Sequence, residues 1–297
     1  MLRRRDLLTA ALGLAALPRG LRAASLPDRL VVAGGALTEI VVALGGAGRL
    51  VGVDTTSLYP AKVVEPLPRI GYIRTLSAEG ILSLNPSFLL ASDQAGPPAV
   101  IDQLRAVKLP LALVEETFAA DHVPAKVLKV AEALGQDAAG KALAETIAAD
   151  LASVRAAVSG LAKPSVLFVL SNTGDRLMAA GQATAAETMI GLAGARNAIQ
   201  GYTSYKPLSA EAALAADPDI LVFPDHVVTA LGGRAAIARL PQVSVTRAAA
   251  AGRIVSMDSL YLLGLGPRTA HAAHDFATAL HPGARLPALP ARAWTVA

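Results

Sequence analysis

The sequence contains no cysteine among its 297 residues. Disulfide bonds, thiolate metal sites and cysteine nucleophiles are therefore excluded, and so is a lipid anchor on an N-terminal cysteine. Aromatic residues make up only 4% of the chain, which is too few for the base-stacking platforms of single-strand nucleic-acid binders. No segment contains 18 consecutive apolar residues, which argues against a membrane span.

The excess of positive charge lies entirely in the N-terminal segment. Residues 1–24 hold five arginines and one aspartate, a net charge of +4, which equals the net charge of the whole chain. An arginine cluster precedes the apolar run 7–17, whose 11 residues fall short of the ~20 needed to cross a bilayer. We therefore predict a signal peptide over residues 1–24 and a soluble periplasmic protein. Arg4 and Arg5 resemble a twin-arginine signal, and both Tat and Sec export stay open.

The near-neutral remainder of the chain gives no support for a nucleic-acid partner. It opens with a strand at residues 29–33, a helix whose apolar residues recur at i, i+3, i+4 and i+7 from Leu37, and a second strand at 50–53. This order predicts a β-α-β unit with a parallel strand pair.

Much of this pattern recurs in the second half. The tetrapeptide Leu-Ser-Ala-Glu ending at Glu79 is repeated 132 residues later at Glu211. In both copies we expect the serine, Ser77 or Ser209, to cap a helix and the glutamate to lie in its first turn, where the helix dipole favours an anion. The opening helices also match, at an offset of 148. The repeats predict an α/β fold with two Rossmann-like lobes, each with a parallel sheet.

A long helical pattern separates the two repeats. Residues 137–162 are helix-forming throughout and carry one apolar stripe, and such a helix would span roughly 40 Å. We predict an N-terminal lobe at 28–135, a single backbone helix at 137–162 and a C-terminal lobe at 163–281. A Pro-rich tail, residues 282–297, is expected to lie outside the fold.

The order of lobe, long helix and lobe, with Ser-Ala-Glu in each lobe, resembles the helical-backbone (class III, cluster A-II) substrate-binding proteins of ABC importers. Within that family, Gly71-Tyr72-Ile73-Arg74 followed by Thr75-Leu76-Ser77-Ala78-Glu79, and Tyr205-Lys206-Pro207 before the second copy, resemble the haem-binding branch. The resemblance covers residues 28–281. It implies capture of haem between the lobes, iron uptake and delivery to a homodimeric permease with its ATPase, with an outer-membrane haem receptor upstream. It also implies that Glu79 and Glu211 dock to the permease.

The first lobe has 16 more residues than the second between its opening helix and its Ser-Ala-Glu helix. We expect this extra segment, residues 55–74, at the carboxyl edge of a parallel sheet, where α/β folds bind ligands. A tyrosine phenolate is a known ligand of ferric haem, so Tyr72 is the candidate axial ligand and Arg74 would stabilise it or pair with a propionate. The residues alone favour a half-buried loop aromatic and a solvated arginine, and the resemblance favours the ligand.

Three further residues are candidate haem contacts, each with a plainer alternative. Tyr205 is a ring or propionate contact or a packing residue, and Met178 packs on the porphyrin or fills core. His226 is a distal contact, a second axial ligand or a polar loop histidine.

Two other function classes stay open. One is a binder of the same fold for a ferric siderophore or cobalamin, in which Tyr72 and Arg74 contact organic ligand. The other is an α/β enzyme using His226 with Asp225, although the chain lacks the Gly-x-Ser-x-Gly, His-Glu-x-x-His and phosphate-loop motifs. We expect a binding protein without catalytic residues. His271 and His274 have helical spacing that can bind a metal, but no third ligand lies nearby in the sequence, which favours a surface role.

Overall fold

The structure, a computed structural model, describes residues 27–171 and 177–295. The predicted signal peptide, residues 1–24, lies outside the described residues. No helix in the described ranges is both long enough and apolar enough to span a membrane.

The first sheet has four parallel strands in the order β2-β1-β3-β4. Its strands are β1 (Leu30–Ala33), β2 (Leu50–Val53), β3 (Phe88–Ser92) and β4 (Leu111–Val114). All four residues of the central strand β1 are buried, as expected for a parallel sheet covered by helices on both faces. This sheet is the parallel sheet predicted for the first lobe.

The second sheet is mixed rather than wholly parallel. Its strands are β5 (Ser165–Ser171), β6 (Leu177–Ala180), β7 (Arg196–Asn197), β8 (Tyr205–Pro207), β9 (Ile220–Pro224) and β10 (Ile254–Met257). The order is β10-β9-β5-β6-β8, with β7 beside the start of β5. β6 pairs antiparallel with both β5 and β8, because the five residues between β5 and β6 are too few for a parallel crossover. The sequence prediction of a parallel sheet here was therefore only partly right.

Helices flank both sheets. They are α1 (Gly35–Ala43), α2 (Ala61–Val64), α3 (Ala78–Leu82), α4 (Pro98–Ala106), α5 (His122–Ala133), α6 (Asp137–Val158), α7 (Ala185–Leu192), α8 (Ala210–Ala216), α9 (Asp225–Ala230), α10 (Arg234–Ile237), α11 (Arg247–Ala250), α12 (Ser259–Leu263) and α13 (Thr269–Leu280), with a 3₁₀ turn at Ala47–Arg49. The predicted serine caps are present: the Ser77 Oγ accepts from the Gly80 N–H, and the Ser209 Oγ accepts from the Ala212 N–H.

The long helix between the two sheets is α6, with 22 residues. It begins where the sequence predicts and ends four residues earlier, at Val158. Its apolar stripe is buried against α5 and α13. Gly140 permits the close approach of α5, since a Cβ there would lie 2.1 Å from the Cβ of Ala131. The main hydrophobic cluster runs through this contact and joins residues of both sheets.

The Pro-rich tail packs onto the fold, contrary to the sequence expectation. The Arg292 guanidinium makes a two-fold contact with the Asp150 carboxylate on α6, at 2.7 and 3.0 Å. The Trp294 indole N–H donates to the Pro267 carbonyl at 3.1 Å, and its ring packs on the main cluster. The proline content of the tail does not predict hydrogen bonds and ion pairs of this kind.

Candidate ligand-binding cleft

A cleft of about 730 Å³ opens where the carboxyl ends of the two sheets face each other. Residues following β1, β2, β3 and β4 line it from one side, and residues at the ends of β5, β9 and β10 line it from the other. This is the place at which open α/β sheets bind ligands, and the volume suits an organic ligand of moderate size. The cleft brings together Tyr72, Arg74, Tyr205 and His226, which the sequence analysis named separately.

The cleft carries unusually large exposed apolar side chains. Leu58, Tyr72 and Phe118 line it and are 53%, 47% and 46% exposed. Large exposed apolar side chains that share one cleft indicate an interaction site, because water solvates apolar surface poorly. The cleft therefore suits an organic ligand with substantial apolar surface.

The 55–74 segment is anchored at its base by a buried aspartate, Asp54. Its Oδ1 accepts from the Gly34 N–H at 2.9 Å and the Ser57 hydroxyl at 2.7 Å. Its Oδ2 accepts from the N–H and hydroxyl of Thr56, at 3.0 and 2.6 Å. Asp54 is 0% exposed, and a carboxylate buried with four donors holds both the start of α1 and the segment in one arrangement.

Tyr72 stands on the returning limb of this segment, which backbone hydrogen bonds hold on both sides. The Thr55 N–H donates to the Gly71 carbonyl at 2.9 Å, and the Gly96 N–H donates to the Ile73 carbonyl at 2.9 Å. Gly71 has φ +99°, a conformation that favours glycine, which turns the chain at this point. Tyr72 is thus an exposed phenol on a fixed backbone, with the exposed Arg74 two residues on.

Tyr205 lines the opposite wall of the cleft and is more buried than Tyr72. Burial raises its pKa to about 12, against the lowering effect of hydrogen bonds with the Ala186 backbone and the Thr184 side chain at the start of α7. Burial therefore disfavours the phenolate of Tyr205, and its oxygen is already hydrogen-bonded within the protein. The ring, rather than the hydroxyl, is what Tyr205 offers to a ligand.

Of the other two predicted haem contacts, His226 lines the cleft and Met178 does not. His226 is exposed, lies in the first turn of α9 and lines the cleft. Met178 lies on β6 opposite Leu170, and it is not among the described residues that line the cleft, although Leu170 is. Its role as a contact stays a prediction.

Glu79 and Glu211 occupy matching, exposed positions in the first turns of α3 and α8. Within the described parts of the chain, neither carboxylate has a salt bridge or a side-chain hydrogen bond. His271 and His274 take separate partners, the Pro290 carbonyl and the Asp275 carboxylate. No three metal-ligating side chains come together among residues 27–171 and 177–295.

Sequence reasoning missed Leu58 and Phe118 as cleft residues. Both are large apolar side chains in loops that follow a strand, Leu58 after β2 and Phe118 after β4. An apolar residue in such a loop is a usable signal, since loops at this edge of a parallel sheet carry ligand contacts.

The comparisons with known proteins agree with this geometry. Residues 30–261 match the model of the periplasmic binding protein family, and the chain belongs to that family.

Among solved structures, the chain is similar to the periplasmic heme-binding protein RhuT from Roseiflexus sp. RS-1 in apo form, with 39% identity, a TM-score of 0.84 and coverage of 87% of this chain and 100% of that one. It is also similar to the periplasmic heme-binding protein BhuT in complex with two hemes, with 44% identity, a TM-score of 0.81 and coverage of 86% and 98%. A curated relative is the uncharacterized ABC transporter substrate-binding lipoprotein YvrC of Bacillus subtilis (strain 168), 24% identical over 86% of this chain and 81% of its own length.

Proposed function

We propose that this protein binds haem in the cleft between its lobes and delivers it to an ABC importer of the inner membrane. The observation that carries the proposal is the cleft itself, in which a fixed, exposed tyrosine and an arginine stand among large exposed apolar side chains. Haem matches this set, because it combines an apolar ring with an iron that takes oxygen ligands and with two carboxylates. RhuT and BhuT, both similar over nearly the whole described chain, are periplasmic heme-binding proteins.

In this proposal Tyr72 is the axial ligand of the haem iron. A free phenol titrates near ~10, so it binds ferric iron at neutral pH only where positive charge stabilises the phenolate. The iron and the neighbouring Arg74 supply that charge. Tyr205 is less suited to bind the iron, because its phenol is partly buried and its oxygen is hydrogen-bonded at the start of α7, and it is proposed as a ring contact. His226 reaches the cleft from the other lobe and is the candidate distal group.

Two alternatives are less well supported. The first is a binder of a ferric siderophore or of cobalamin. A ferric siderophore is polar and brings its own iron ligands, so it leaves the exposed Leu58 and Phe118 unexplained. Against both ligands, the similar structures RhuT and BhuT, 39% and 44% identical, are heme-binding proteins. An enzyme using His226 and Asp225 would need those exposed residues of α9 to have a positioned third group, and no hydrogen bond of either side chain is seen in the described chain. We propose a transport role without catalysis, and export through a signal peptide by Tat or Sec.

The importer contact is proposed to involve Glu79 and Glu211. Their carboxylates are exposed and lie in corresponding turns of the two repeats. Neither carboxylate takes part in a salt bridge of the described residues. A two-fold symmetric permease would meet one glutamate with each half.

The test of haem binding is an absorption titration of the purified protein with haemin. The wild type should give a shifted Soret band and the charge-transfer band of ferric tyrosinate. Tyr72→Phe, which removes only the oxygen, should lose that band and weaken affinity by more than about 100-fold, since even outer-shell partners of a metal contribute 10- to 100-fold. Arg74→Ala should weaken it by about tenfold.

The control is Tyr202→Phe, which removes a phenol that bonds to the Ala179 carbonyl instead of facing the cleft. Its spectrum should equal the wild type. A Tyr72→Phe protein with an unchanged spectrum and affinity would show that another group binds the iron.

A further inference from the structure

A buried ion pair joins the two lobes beneath the cleft. The Arg268 Nε and Nη2 donate to the two Glu39 oxygens at 2.8 and 2.7 Å. Glu39 belongs to α1, and Arg268 is the residue before α13. The residues are 5% and 9% exposed, so the paired carboxylate holds the guanidinium plane in one orientation.

That guanidinium lies between two tyrosine rings. Its carbon is 3.6 Å from the centre of the Tyr59 ring and 4.9 Å from the centre of the Tyr261 ring. Tyr261 belongs to α12 of the second lobe, whereas Tyr59 belongs to the 55–74 segment of the first. The Tyr59 hydroxyl is buried and has no hydrogen-bond partner in the described structure. Tyr59 is therefore held by the contact of its ring face with the Arg268 guanidinium, and not by its hydroxyl.

Short hydrogen bonds connect the limb that carries Tyr59 to the limb that carries Tyr72. The Arg69 Nη1 donates to the Ser57 carbonyl at 2.7 Å. The Thr55 N–H donates to the Gly71 carbonyl, next to Tyr72. Both bonds cross the base of the segment and tie the limb that leads to Tyr59 to the residues just before Tyr72.

We infer that Arg268 is a positioning residue for Tyr72, acting through the Tyr59 ring: the second lobe clamps the segment that presents the ligand. The inference rests on the proposed function of Tyr72 and adds a residue far from it in sequence. Glu39 contributes by fixing the Arg268 guanidinium. The buried pair thus helps to position Tyr72 in addition to joining the two lobes.

The test compares variants that remove one ring each from the same guanidinium. Tyr59→Leu should speed haem dissociation by about tenfold, which corresponds to one desolvated cation–π contact, and should shift the ferric-tyrosinate band. Tyr59→Phe keeps the ring and should behave as wild type. Tyr261→Leu is the control: it removes the other ring, together with the hydrogen bond of the Tyr261 hydroxyl to Asp275. It should lower the melting temperature without altering the band or the dissociation rate.

A second pair of measurements separates this inference from the haem proposal. In the ligand-free protein, the amide hydrogens of residues 55–75 should exchange faster in Tyr59→Leu than in Tyr261→Leu. Arg268→Lys, which retains a charge for Glu39 but loses the planar guanidinium, should reproduce the exchange and the shifted band of Tyr59→Leu.

The inference is overturned if Tyr59→Leu matches wild type in both exchange and band, or if the two Leu variants change equally, as a purely structural cluster requires. A wild-type protein that fails to bind haemin would overturn the proposed function and the role of Arg268 in haem binding. Faster hydrogen exchange of residues 55–75 in Tyr59→Leu would in that case still show that the Arg268–Tyr59 contact holds the segment.

Discussion

Tyr72 and Tyr205 both line the cleft, but their surroundings give them different chemistry. Tyr72 is 47% exposed on a loop held by backbone hydrogen bonds. Tyr205 is partly buried, and its oxygen is bonded at the start of α7. The same residue type therefore provides a candidate iron ligand on one wall and a ring surface on the other.

Tyr205 leads to a prediction about alkaline stability. Its pKa is about 12 in the folded protein and near ~10 in the unfolded chain. Below pH ~10 both states are protonated, so the phenol makes no pH-dependent contribution. As pH rises from ~10 to ~12 only the unfolded state loses the proton, and up to about 2–3 kcal/mol of folding free energy is lost.

Urea unfolding of the wild type and Tyr205→Phe across this range measures the effect. The variant cannot ionise here, so its stability should fall less steeply above pH ~10. Parallel curves for the two proteins would contradict the assignment of a raised pKa to Tyr205.

The 55–74 segment is the element that distinguishes the first lobe from its repeat. It contains the short helix α2, whose Val64 is fully buried, and its return runs beside β2, where the Val53 N–H donates to the Pro68 carbonyl at 3.1 Å. The segment is therefore part of the folded lobe and not a loose loop. The rigidity of the segment matters, because a side chain that is to bind iron has to be held in place before the haem arrives.

Asp54→Asn should loosen this element. The amide group replaces one acceptor oxygen by a donor, which then faces the donors of Gly34, Thr56 or Ser57. The free energy of unfolding should fall by about 1–3 kcal/mol, the cost of leaving buried polar groups unpaired, and haem affinity should fall with it. Urea unfolding and haemin titration measure the two effects.

The matched control is Asp102→Asn on α4, where the exposed carboxylate pairs with Arg105 at 3.2 Å. This variant should stay within about 0.5 kcal/mol of wild type. Equal stability of the two variants would mean that the Asp54 hydrogen bonds do not hold the segment.

At the scale of the whole molecule, α6 and its neighbours decide how the lobes are related. The helix packs against α5 from the first lobe and α13 from the second, and the tail is fixed to it through Arg292 and Asp150. The Lys126 ammonium, on α5, also donates to the Leu265 carbonyl at 3.3 Å. With the Arg268–Glu39 pair, these contacts favour two lobes that move little, so the cleft is largely formed before ligand binds.

A fixed relation between the lobes also fixes the spacing of Glu79 and Glu211. We predict that Glu79→Ala with Glu211→Ala stops haem-dependent growth and complex formation with the permease, while haem affinity and melting temperature stay within error of wild type. An exposed helix-dipole contribution is only about 0.3–1 kcal/mol per residue, so a stability effect would be small. Growth assays and pull-down with the permease measure the outcome.

The control double variant is Glu132→Ala with Glu145→Ala, which removes the same charge from exposed positions on α5 and α6. It should transport normally. Normal transport by the Glu79 and Glu211 double variant would leave those residues only with a role in stabilising the N-termini of their helices.

The sequence alone was sufficient for the features that depend on local pattern. Apolar runs and helical spacing predicted β1, α1, β2 and α6, because burial on one face or both imposes a period on the chain. The repeat around Ser77 and Ser209 predicted both helix caps, because a cap depends on residues three apart. The extra segment and its Gly-Tyr-x-Arg motif drew attention to Tyr72, but it was the resemblance to the haem-binding branch, and not the residues alone, that favoured Tyr72 as the ligand.

Only the tertiary structure decided what depends on distant parts of the chain. The pairing of β8 with β6, the packed tail and the pair of Glu39 with Arg268, 229 residues apart, have no local signature. The same holds for the cleft, since Leu58, Phe118 and His226 come to line one cavity only when two sheet edges are brought face to face. Local periodicity specifies which face of an element is buried, whereas the partner of a buried charge is set by how the elements pack.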